Sequence, residues 1–255
     1  MLQQTQASRV APAYRSFVAR FPTAESLARA GLRDVVTAWR GLGYNRRAVA
    51  LWEAARTMVR DNGGRVPADS LEMLRLPGVG TYTAAAVSSV AFGSPAAAVD
   101  TNARRIVARF FLGAEPDEVS PREIRALADA WLDRGDPGAW NQALMDLGRE
   151  RCRPRPRCGA CPLNVSCRFA AEGRAPPPAG RRQPAFEGSF RQLRGAVVRS
   201  LLDREDATLG VLARETGVSL EQVGEAVSAL VADGLVIAGA AARAGRPGGR
   251  VRLPG

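Results

Sequence analysis

The sequence predicts a mostly all-α protein that ends in a small winged-helix-like module. Through the first 170 residues, apolar side chains recur at helical spacing, and alternation of the strand type is missing. Three consecutive prolines, Pro176 to Pro178, then interrupt this pattern. Beyond them, two helices across a short turn precede two short apolar segments around a glycine-rich loop, an order typical of a winged helix-turn-helix.

The N-terminal part is predicted to form helices over residues 7–20, 32–39 and 45–60. Phe21-Pro22 ends the first of them, and the glycine turn Gly41-Leu42-Gly43-Tyr44 separates the other two. These short helices with turn signals between them favour a helical bundle over a sheet protein.

The stretch from Leu76 to Gly80 is predicted to form a tight turn in front of a helix. Gly78 and Gly80 permit sharp turns and bring backbone N–H groups close to another molecule. Thr81 is predicted to cap a helix of small residues over 82–92. A helix N-terminus behind such a turn is a site for anions, and in a basic protein we expect a nucleic-acid phosphate there.

Further helices are predicted over residues 100–112, from Ser120 onward, and over 139–150. Asp100 stands where the first of these begins and is an expected N-cap. Ser120-Pro121-Arg122-Glu123 combines a capping serine, a proline at the first helical position and a glutamate at the third.

The C-terminal part is predicted to consist of a linker over 171–190 and the winged-helix-like module over 191–255. Helices are expected over 190–202, 209–215 and 219–233, and strands over 235–237 and 250–253. Such modules bind DNA or mediate protein contacts, and the sequence leaves both roles open.

The charge balance points to an anionic partner. Net charge is +11, with 36 basic residues against 25 acidic ones and no histidine. All basic residues are arginine, which indicates codon bias, but such bias does not explain the excess over acidic residues. Without lysine no side-chain Schiff base can form, and without histidine acid–base chemistry falls to carboxylates, tyrosine or water.

Membrane insertion and secretion are not expected. The chain has no run of eighteen apolar residues, and its first residues do not resemble a signal peptide. We therefore expect the cytoplasm, in association with the nucleoid, and a monomer.

The four cysteines form one group with the spacing C-x5-C-x2-C-x5-C: Cys152, Cys158, Cys161 and Cys167. Disulfides do not suit a chain expected in the cytoplasm. Four thiolates suit zinc or an iron–sulfur cluster. Because a structural zinc site built from four cysteines usually has two CxxC pairs and this chain has one, the spacing favours a [4Fe–4S] cluster.

Taken together, the motifs resemble the helix-hairpin-helix DNA glycosylases that carry an iron–sulfur cluster, and within them the A/G-specific adenine glycosylases, most closely the actinobacterial branch. The matching stretches are MLQQTQ at the start, GLGYNRRA at 41–48, LPGVGTYTA at 76–84, VDTN at 99–102, NQALMDLG at 141–148 and the cysteine loop.

The resemblance implies a glycosylase domain over 1–170, with a six-helix lobe over about 8–103 and an iron–sulfur lobe over about 104–170. The expected substrate is double-stranded DNA with adenine opposite 8-oxoguanine or guanine. The target adenine is flipped out of the duplex. The expected cofactor is a [4Fe–4S] cluster on the four cysteines.

Roles for individual residues also follow from the resemblance. Asp100 matches the carboxylate that stabilises the sugar cation or forms a transient adduct, and Asn102 matches a residue supporting it. Tyr82 stands where bifunctional relatives carry a lysine, which argues against strand cleavage by a side-chain Schiff base. The expected DNA contacts fall into three groups. The glycine hairpin is expected to bind the DNA backbone through Leu76, Gly78, Val79 and Gly80. Gln4 and Tyr44, with Gln3, Thr5 and Leu42 beside them, are expected to insert into the base stack around the mispair, and Gln142 is expected to contact the adenine.

The sequence also departs from the family pattern. The family's catalytic glutamate lies two residues before the methionine of MLQQTQ, where the printed sequence starts, so we expect DNA binding with slow excision. Losing a positioned proton donor costs about 10²–10⁴-fold. A start codon assigned too far downstream and a genuinely short protein both remain open.

Two further departures concern the cysteines and the C-terminal part. The first cysteine spacing is one residue shorter than usual, and the winged-helix-like module stands where a Nudix-like domain would read 8-oxoguanine. Rival hypotheses are another glycosylase of this superfamily, acting on thymine or uracil mismatches or oxidised pyrimidines, and a non-catalytic DNA-binding descendant.

Overall fold

A computed structural model describes residues 1–3, 5–175 and 185–255. The chain divides into two compact units, one formed by Met1–Arg65 with Gln183–Gly255 and the other by Val66–Arg182. The described residues are mostly helical, which confirms the predicted fold class, and none of their helices is long and apolar enough to cross a membrane. The predicted linker includes residues 176–184, which lie outside the described ranges, and the predicted domain boundaries stay predictions.

In the described residues of the unit Val66–Arg182, all regular secondary structure is helical. Its helices are α5 (Ser70–Met73), α6 (Thr81–Phe92), α7 (Thr101–Leu112), α8 (Pro121–Trp131), α9 (Pro137–Glu150) and α10 (Arg168–Ala171), with 3₁₀ turns at Cys158–Ala160 and Asn164–Ser166. Ser120 caps α8 by accepting a hydrogen bond from the Glu123 N–H, as predicted. The predicted cap at Thr81 is wrong: Thr81 is the first helical residue, and the extended Gly80 precedes it without a side-chain cap.

Helix α6 consists of small residues because it packs closely against α9. The buried side chains of α6 are Ala84, Ala85, Ser88 and Ser89. A Cβ atom at Gly138 of α9 would come within 3.3 Å of the Ser89 carbonyl oxygen and the Val90 Cα atom. Larger side chains at this crossing would push the two helices apart.

The core of the same unit lies between α7 and α8. Val107 and Ala108 of α7 and Ile124 and Ala128 of α8 are buried there. Trp131 stacks on Phe110 with ring centroids 4.9 Å apart. This core holds the start of α7, and therefore Asp100, in a fixed position.

The other unit begins with α1 (Ala7–Arg20), α2 (Ala24–Arg29), α3 (Leu32–Ala38) and α4 (Arg46–Asn62). Trp39 follows α3 and is almost fully buried, at 1% exposure. Its indole N–H donates to the Gly43 carbonyl at 3.1 Å, which fixes the glycine turn in front of α4.

The C-terminal part of that unit contains α11 (Phe190–Leu202), β1 (Asp206–Thr208), α12 (Leu209–Thr216), α13 (Leu220–Ala232), β2 (Ile237–Ala238), α14 (Ala240–Arg243) and β3 (Arg250–Arg252). The sheet is antiparallel with the order β1-β3-β2. The two strands predicted over 235–237 and 250–253 are present as β2 and β3, whereas β1 and α14 were not predicted. The three residues of β1 are too few to reveal alternation in the sequence.

Arg33 of α3 joins the two segments of this unit. Its guanidinium donates to the carbonyls of Leu201, Leu202, Arg204 and Glu205 at 2.9–3.4 Å, where α11 ends. A cation at the C-terminal end of a helix donates hydrogen bonds to the free carbonyls and interacts favourably with the helix dipole. The C-terminal part is therefore packed on the N-terminal helices.

Candidate active site and nucleic-acid interface

Asp100 lies at the N-terminus of α7 and is half-buried. Its Oδ1 accepts hydrogen bonds from the backbone N–H groups of Asn102, at 2.9 Å, and Ala103, at 2.7 Å. Its Oδ2 accepts one from the Asn102 side-chain amide at 3.0 Å. A carboxylate offers about four lone-pair positions, so one remains free for another group.

Arg105 connects this carboxylate to the cysteine loop. Its Nη2 donates to Asn102 Oδ1 at 2.8 Å and to the Gly148 carbonyl at 3.0 Å, and its Nε donates to the Cys152 carbonyl at 2.6 Å. By holding Asn102 Oδ1, Arg105 orients the amide so that its N–H₂ group faces Asp100. Nothing in the sequence distinguishes Arg105 from the other arginines of this arginine-rich chain, so it was not predicted as a site residue.

Gly148 of α9 makes this arrangement sterically possible. A Cβ atom there would lie 2.5 Å from the Asn102 Cβ atom, which is closer than packed side chains approach. The glycine in the stretch NQALMDLG therefore lets α9 lie directly against Asn102.

Asn141, which was also not predicted as a site residue, fixes the chain just before Asp100. It is almost fully buried, at 1% exposure. Its Oδ1 accepts from the Ala98 N–H at 2.7 Å, and its Nδ2 donates to the Ala96 carbonyl and to Ser89 Oγ, both at 2.9 Å. A buried amide with these bonds tethers an irregular segment that lacks a strand partner.

Tyr82 is half-buried in the first turn of α6, and its hydroxyl contacts the Met145 sulfur at 3.1 Å. Burial, and then the charge of Asp100, raise the pKa of Tyr82 above its ordinary value. The phenol therefore stays neutral near neutral pH. The coupling to Asp100 is consistent with the two residues serving one site.

The hairpin between α5 and α6 presents backbone donors. Gly78 has a left-handed backbone conformation, with φ of 74°, and Leu76 is buried beneath it. Among the described residues, the N–H groups of Gly78 and Gly80 have no hydrogen-bond acceptor, whereas that of Val79 donates to the Leu76 carbonyl. Free N–H groups in front of a helix suit a phosphate.

Gln142, predicted to contact adenine, is exposed on α9. Its Nε2 donates to Asp146 Oδ2 at 3.2 Å. It borders a surface cavity formed by the C-terminal end of α6 and residues 135–139.

The other predicted DNA contacts belong to the unit with α1 to α4. Arg47 gathers them: its Nη2 donates to Thr5 Oγ1 at 2.8 Å and to the Leu42 and Gly43 carbonyls, and its Nη1 donates to the Gln3 carbonyl. Gln4 lies outside the described residues. Leu42 is buried, at 4% exposure, so in this structure it supports the turn from within.

Tyr44 has an exposed ring and an unusual backbone. It has a positive φ of 48°, a conformation that costs a non-glycine residue about 1–3 kcal/mol. The Arg47 guanidinium lies over its ring, 5.4 Å from the centroid. The turn thus directs an aromatic side chain into solvent at an energetic cost, which is typical of a binding residue.

The four cysteines are free thiols that line one cavity. Burial raises the pKa of the Cys152 and Cys158 thiols. In the described part of the chain, no three His, Cys, Asp or Glu side chains come close enough together to hold a single metal ion. Four thiols that line one cavity are a donor set that suits zinc or an iron–sulfur cluster.

Arg109 of α7 holds the cysteine loop through hydrogen bonds to the loop backbone. It is 1% exposed and pairs with Glu115 at 2.7 Å. It also donates to the Arg153 carbonyl at 2.6 Å and the Pro154 carbonyl at 2.9 Å, and its Nη1 lies 3.7 Å from the Cys152 sulfur. A buried cation beside the sulfurs would favour an anionic group in the cavity.

Comparisons with known proteins agree with this geometry. Residues 1–133 match the HhH-GPD superfamily of base excision DNA repair proteins. The chain is 38% identical over 241 residues to the adenine DNA glycosylase of Mycolicibacterium smegmatis, covering 92% of this chain and 81% of that protein. It is 42% identical over 173 residues to human adenine DNA glycosylase, covering 66% of this chain but only 32% of that protein.

Among solved structures, the chain is similar to a thermostable thymine-DNA glycosylase. The TM-score is 0.63 and the identity 33%, over 67% of this chain and 80% of that one. The two adenine DNA glycosylases share a higher identity with the chain than this thymine-DNA glycosylase does.

Proposed function

The chain belongs to the HhH-GPD superfamily of base excision DNA repair proteins and to its adenine DNA glycosylases, and from this premise we propose its substrate and its catalytic residues. We propose that it hydrolyses the N-glycosidic bond of adenine mispaired with 8-oxoguanine or guanine in double-stranded DNA. The observation that carries this proposal is the Asp100 carboxylate, held in one orientation by three hydrogen bonds.

Asp100 acts on the sugar. Cleavage of the bond between C1′ and the base builds positive charge on the deoxyribose, as in glycoside hydrolysis. A carboxylate that is already oriented stabilises this charge without reorganisation during the reaction. The lone-pair position that no protein donor occupies is the one available to the sugar. Asn102 keeps the carboxylate in place, and Arg105 keeps Asn102 in place.

Tyr82 limits the reaction to base removal. A neutral phenol cannot form a Schiff base, and the chain has no lysine that could replace it. The reaction therefore ends at an abasic site, without strand cleavage by a side-chain amine.

The hairpin supports binding of the DNA backbone. The unpaired N–H groups of Gly78 and Gly80 suit one phosphate in front of α6. Contacts of this kind fix the register of the duplex, and the reading of the mispair is left to side chains. For that reading we propose Tyr44, Gln3, Gln4 and Thr5 at the stack and Gln142 at the adenine.

The cysteine cavity supports a [4Fe–4S] cluster held by Cys152, Cys158, Cys161 and Cys167. Its four free thiols line one cavity, and Arg109 supplies positive charge beside them. When bound, the cluster would cross-link the loop. No step of base excision is assigned to it. We further propose a monomer that works in the cytoplasm, on the nucleoid.

A panel of duplexes tests the proposed substrate. Each duplex carries one mispair (A opposite 8-oxoguanine, A opposite G, T opposite G, or U opposite G), and abasic sites are measured under single-turnover conditions with and without alkali. We expect abasic sites only from the adenine mispairs, with strand breaks only after alkali. Release of thymine or uracil would favour the rival glycosylase, and breaks without alkali would contradict the assigned role of Tyr82.

A further inference from the structure

The C-terminal end of the chain carries uncompensated positive charge. After Asp233 the sequence contains no acidic residue and four arginines, Arg243, Arg246, Arg250 and Arg252. All four are exposed. Arg250 pairs with Asp206 at 2.9 Å, whereas in the described ranges the other three have no carboxylate within ion-pair distance. We call residues 239–252 the wing.

The wing is a compact structure despite its glycines. Backbone hydrogen bonds close it, from the Gly245 N–H to the Ala242 carbonyl at 3.0 Å and from the Gly249 N–H to the Arg246 carbonyl at 2.9 Å. A Cβ atom at Gly249 would lie 2.3 Å from the backbone of Ala242, so the loop closes this tightly only with glycine there. Because the backbone of this loop is already ordered, binding through its arginines costs little backbone conformational entropy.

The wing is also attached to the helices beneath it. The N–H groups of Leu209 and Gly210, at the start of α12, donate to the Gly249 and Pro247 carbonyls at 3.0 and 2.8 Å. In β3, the buried Val251 alternates with Arg250 and Arg252, so both arginines point to the solvent side of the sheet.

Helix α13, which in a helix-turn-helix would enter the major groove, has the opposite charge. Its N-terminal half exposes Glu221, Gln222 and Glu225. Carboxylates on this face repel phosphates, so α13 is unsuited to lie in a groove.

We infer that the wing binds the phosphate backbone of double-stranded DNA through Arg243, Arg246 and Arg252, and that α13 does not contact the duplex. This inference rests on the proposed action on duplex DNA. Arg33 packs the C-terminal part onto the N-terminal helices, so the wing belongs to the same compact unit as Tyr44 and Thr5, which we propose as DNA contacts. It would raise affinity for any sequence, since backbone contacts carry no base information.

The test compares two charge-matched variants of the full chain. One carries Arg243→Gln and Arg246→Gln in the wing; the control carries Arg15→Gln and Arg29→Gln, which are exposed on α1 and α2. Dissociation constants for a mispaired duplex are measured as a function of salt concentration. Circular dichroism spectra check that both variants fold.

We expect the wing variant to bind at least about 10-fold more weakly at 0.1 M salt, with the slope of log K against log salt smaller by about 1.8. The control should stay within about twofold of wild type. Excision at saturating protein should be unchanged, because the wing does not touch the reacting atoms. Equal behaviour of the two variants would overturn the inference while leaving the glycosylase intact.

A third variant, Glu221→Gln with Glu225→Gln, tests the exclusion of α13. We expect its affinity within about twofold of wild type, and a several-fold gain would overturn the statement that α13 does not contact the duplex. If wild type itself fails to bind any duplex, the proposed function fails, and this inference fails with it.

Discussion

Replacing Arg105 with glutamine tests the contacts that lead from the cysteine loop to the catalytic carboxylate. Arg105 donates three hydrogen bonds, at 2.6, 2.8 and 3.0 Å, and two of the acceptors are backbone carbonyls. Hydrogen bonds to charged groups are worth about 1.5–3 kcal/mol each. Because Arg105 is only half-buried, we expect Arg105→Gln to lower the free energy of unfolding by about 2–4 kcal/mol in total.

The effect of Arg105→Gln on the excision rate should be smaller, and it should arise because the Asn102 side chain is no longer held in one orientation. Without the guanidinium, the Asn102 amide is free to turn, and Asp100 loses its side-chain donor for part of the time. Because this bond to a carboxylate is lost only part of the time, we expect a cost of about 0.5–1.5 kcal/mol, below the value of the full bond, which corresponds to excision slower by about 2- to 13-fold. Arg104→Gln is the matched control, since its neighbouring guanidinium donates to the Pro116 carbonyl and not to Asn102.

Single-turnover excision at saturating protein, with urea unfolding on the same samples, measures both effects. A double-mutant cycle with Asn102→Ala then tests the route. If Arg105 acts through Asn102, Arg105→Gln slows excision in the wild-type background but adds little once Asn102 is alanine. Fully additive effects, or an unchanged excision rate in the single variant, would refute this reasoning.

Three further variants test separate parts of the site. Gly148→Ala should lower the free energy of unfolding by about 1–3 kcal/mol and slow excision, because the new Cβ atom would meet Asn102. The control is Gly195→Ala, where nothing lies within 4 Å of the new Cβ atom; in urea unfolding it should be neutral or stabilising. The raised pKa of Tyr82 means that stability falls as pH rises above about 10, so wild type should lose more stability than Tyr82→Phe in urea titrations at increasing pH. Arg109→Ala should cost about 3–5 kcal/mol and reduce iron per chain in metal analysis, and full iron content would argue against its anchoring role.

Local signals in the sequence predicted the elements on which the site is built. Asp100 was predicted as the N-cap of α7, and the structure confirms this in two backbone hydrogen bonds. Ser120 was predicted as the cap of α8, and its hydroxyl accepts a hydrogen bond from the Glu123 N–H. A cap depends on neighbours within one turn, a range over which a sequence pattern carries information.

The residues that orient the site escaped prediction because their partners are distant in the chain. Arg105 bonds to Gly148 and Cys152, and Arg47 bonds to the segment before α1. In the sequence, each of these arginines is one of two in a row. Only the packing of α9 against α7 distinguishes Arg105 from Arg104, and no local rule predicts that packing.

The catalytic role of Asp100 is tested most directly by adenine release from a duplex with A opposite 8-oxoguanine. Release by wild type and by Asp100→Asn is measured over a long single-turnover time course. Asparagine can still cap α7, so the variant should fold and bind DNA as wild type does. We expect slow formation of abasic sites with wild type and none above background with Asp100→Asn. Equal release by both proteins would contradict the assignment of Asp100 as the group that stabilises the sugar cation.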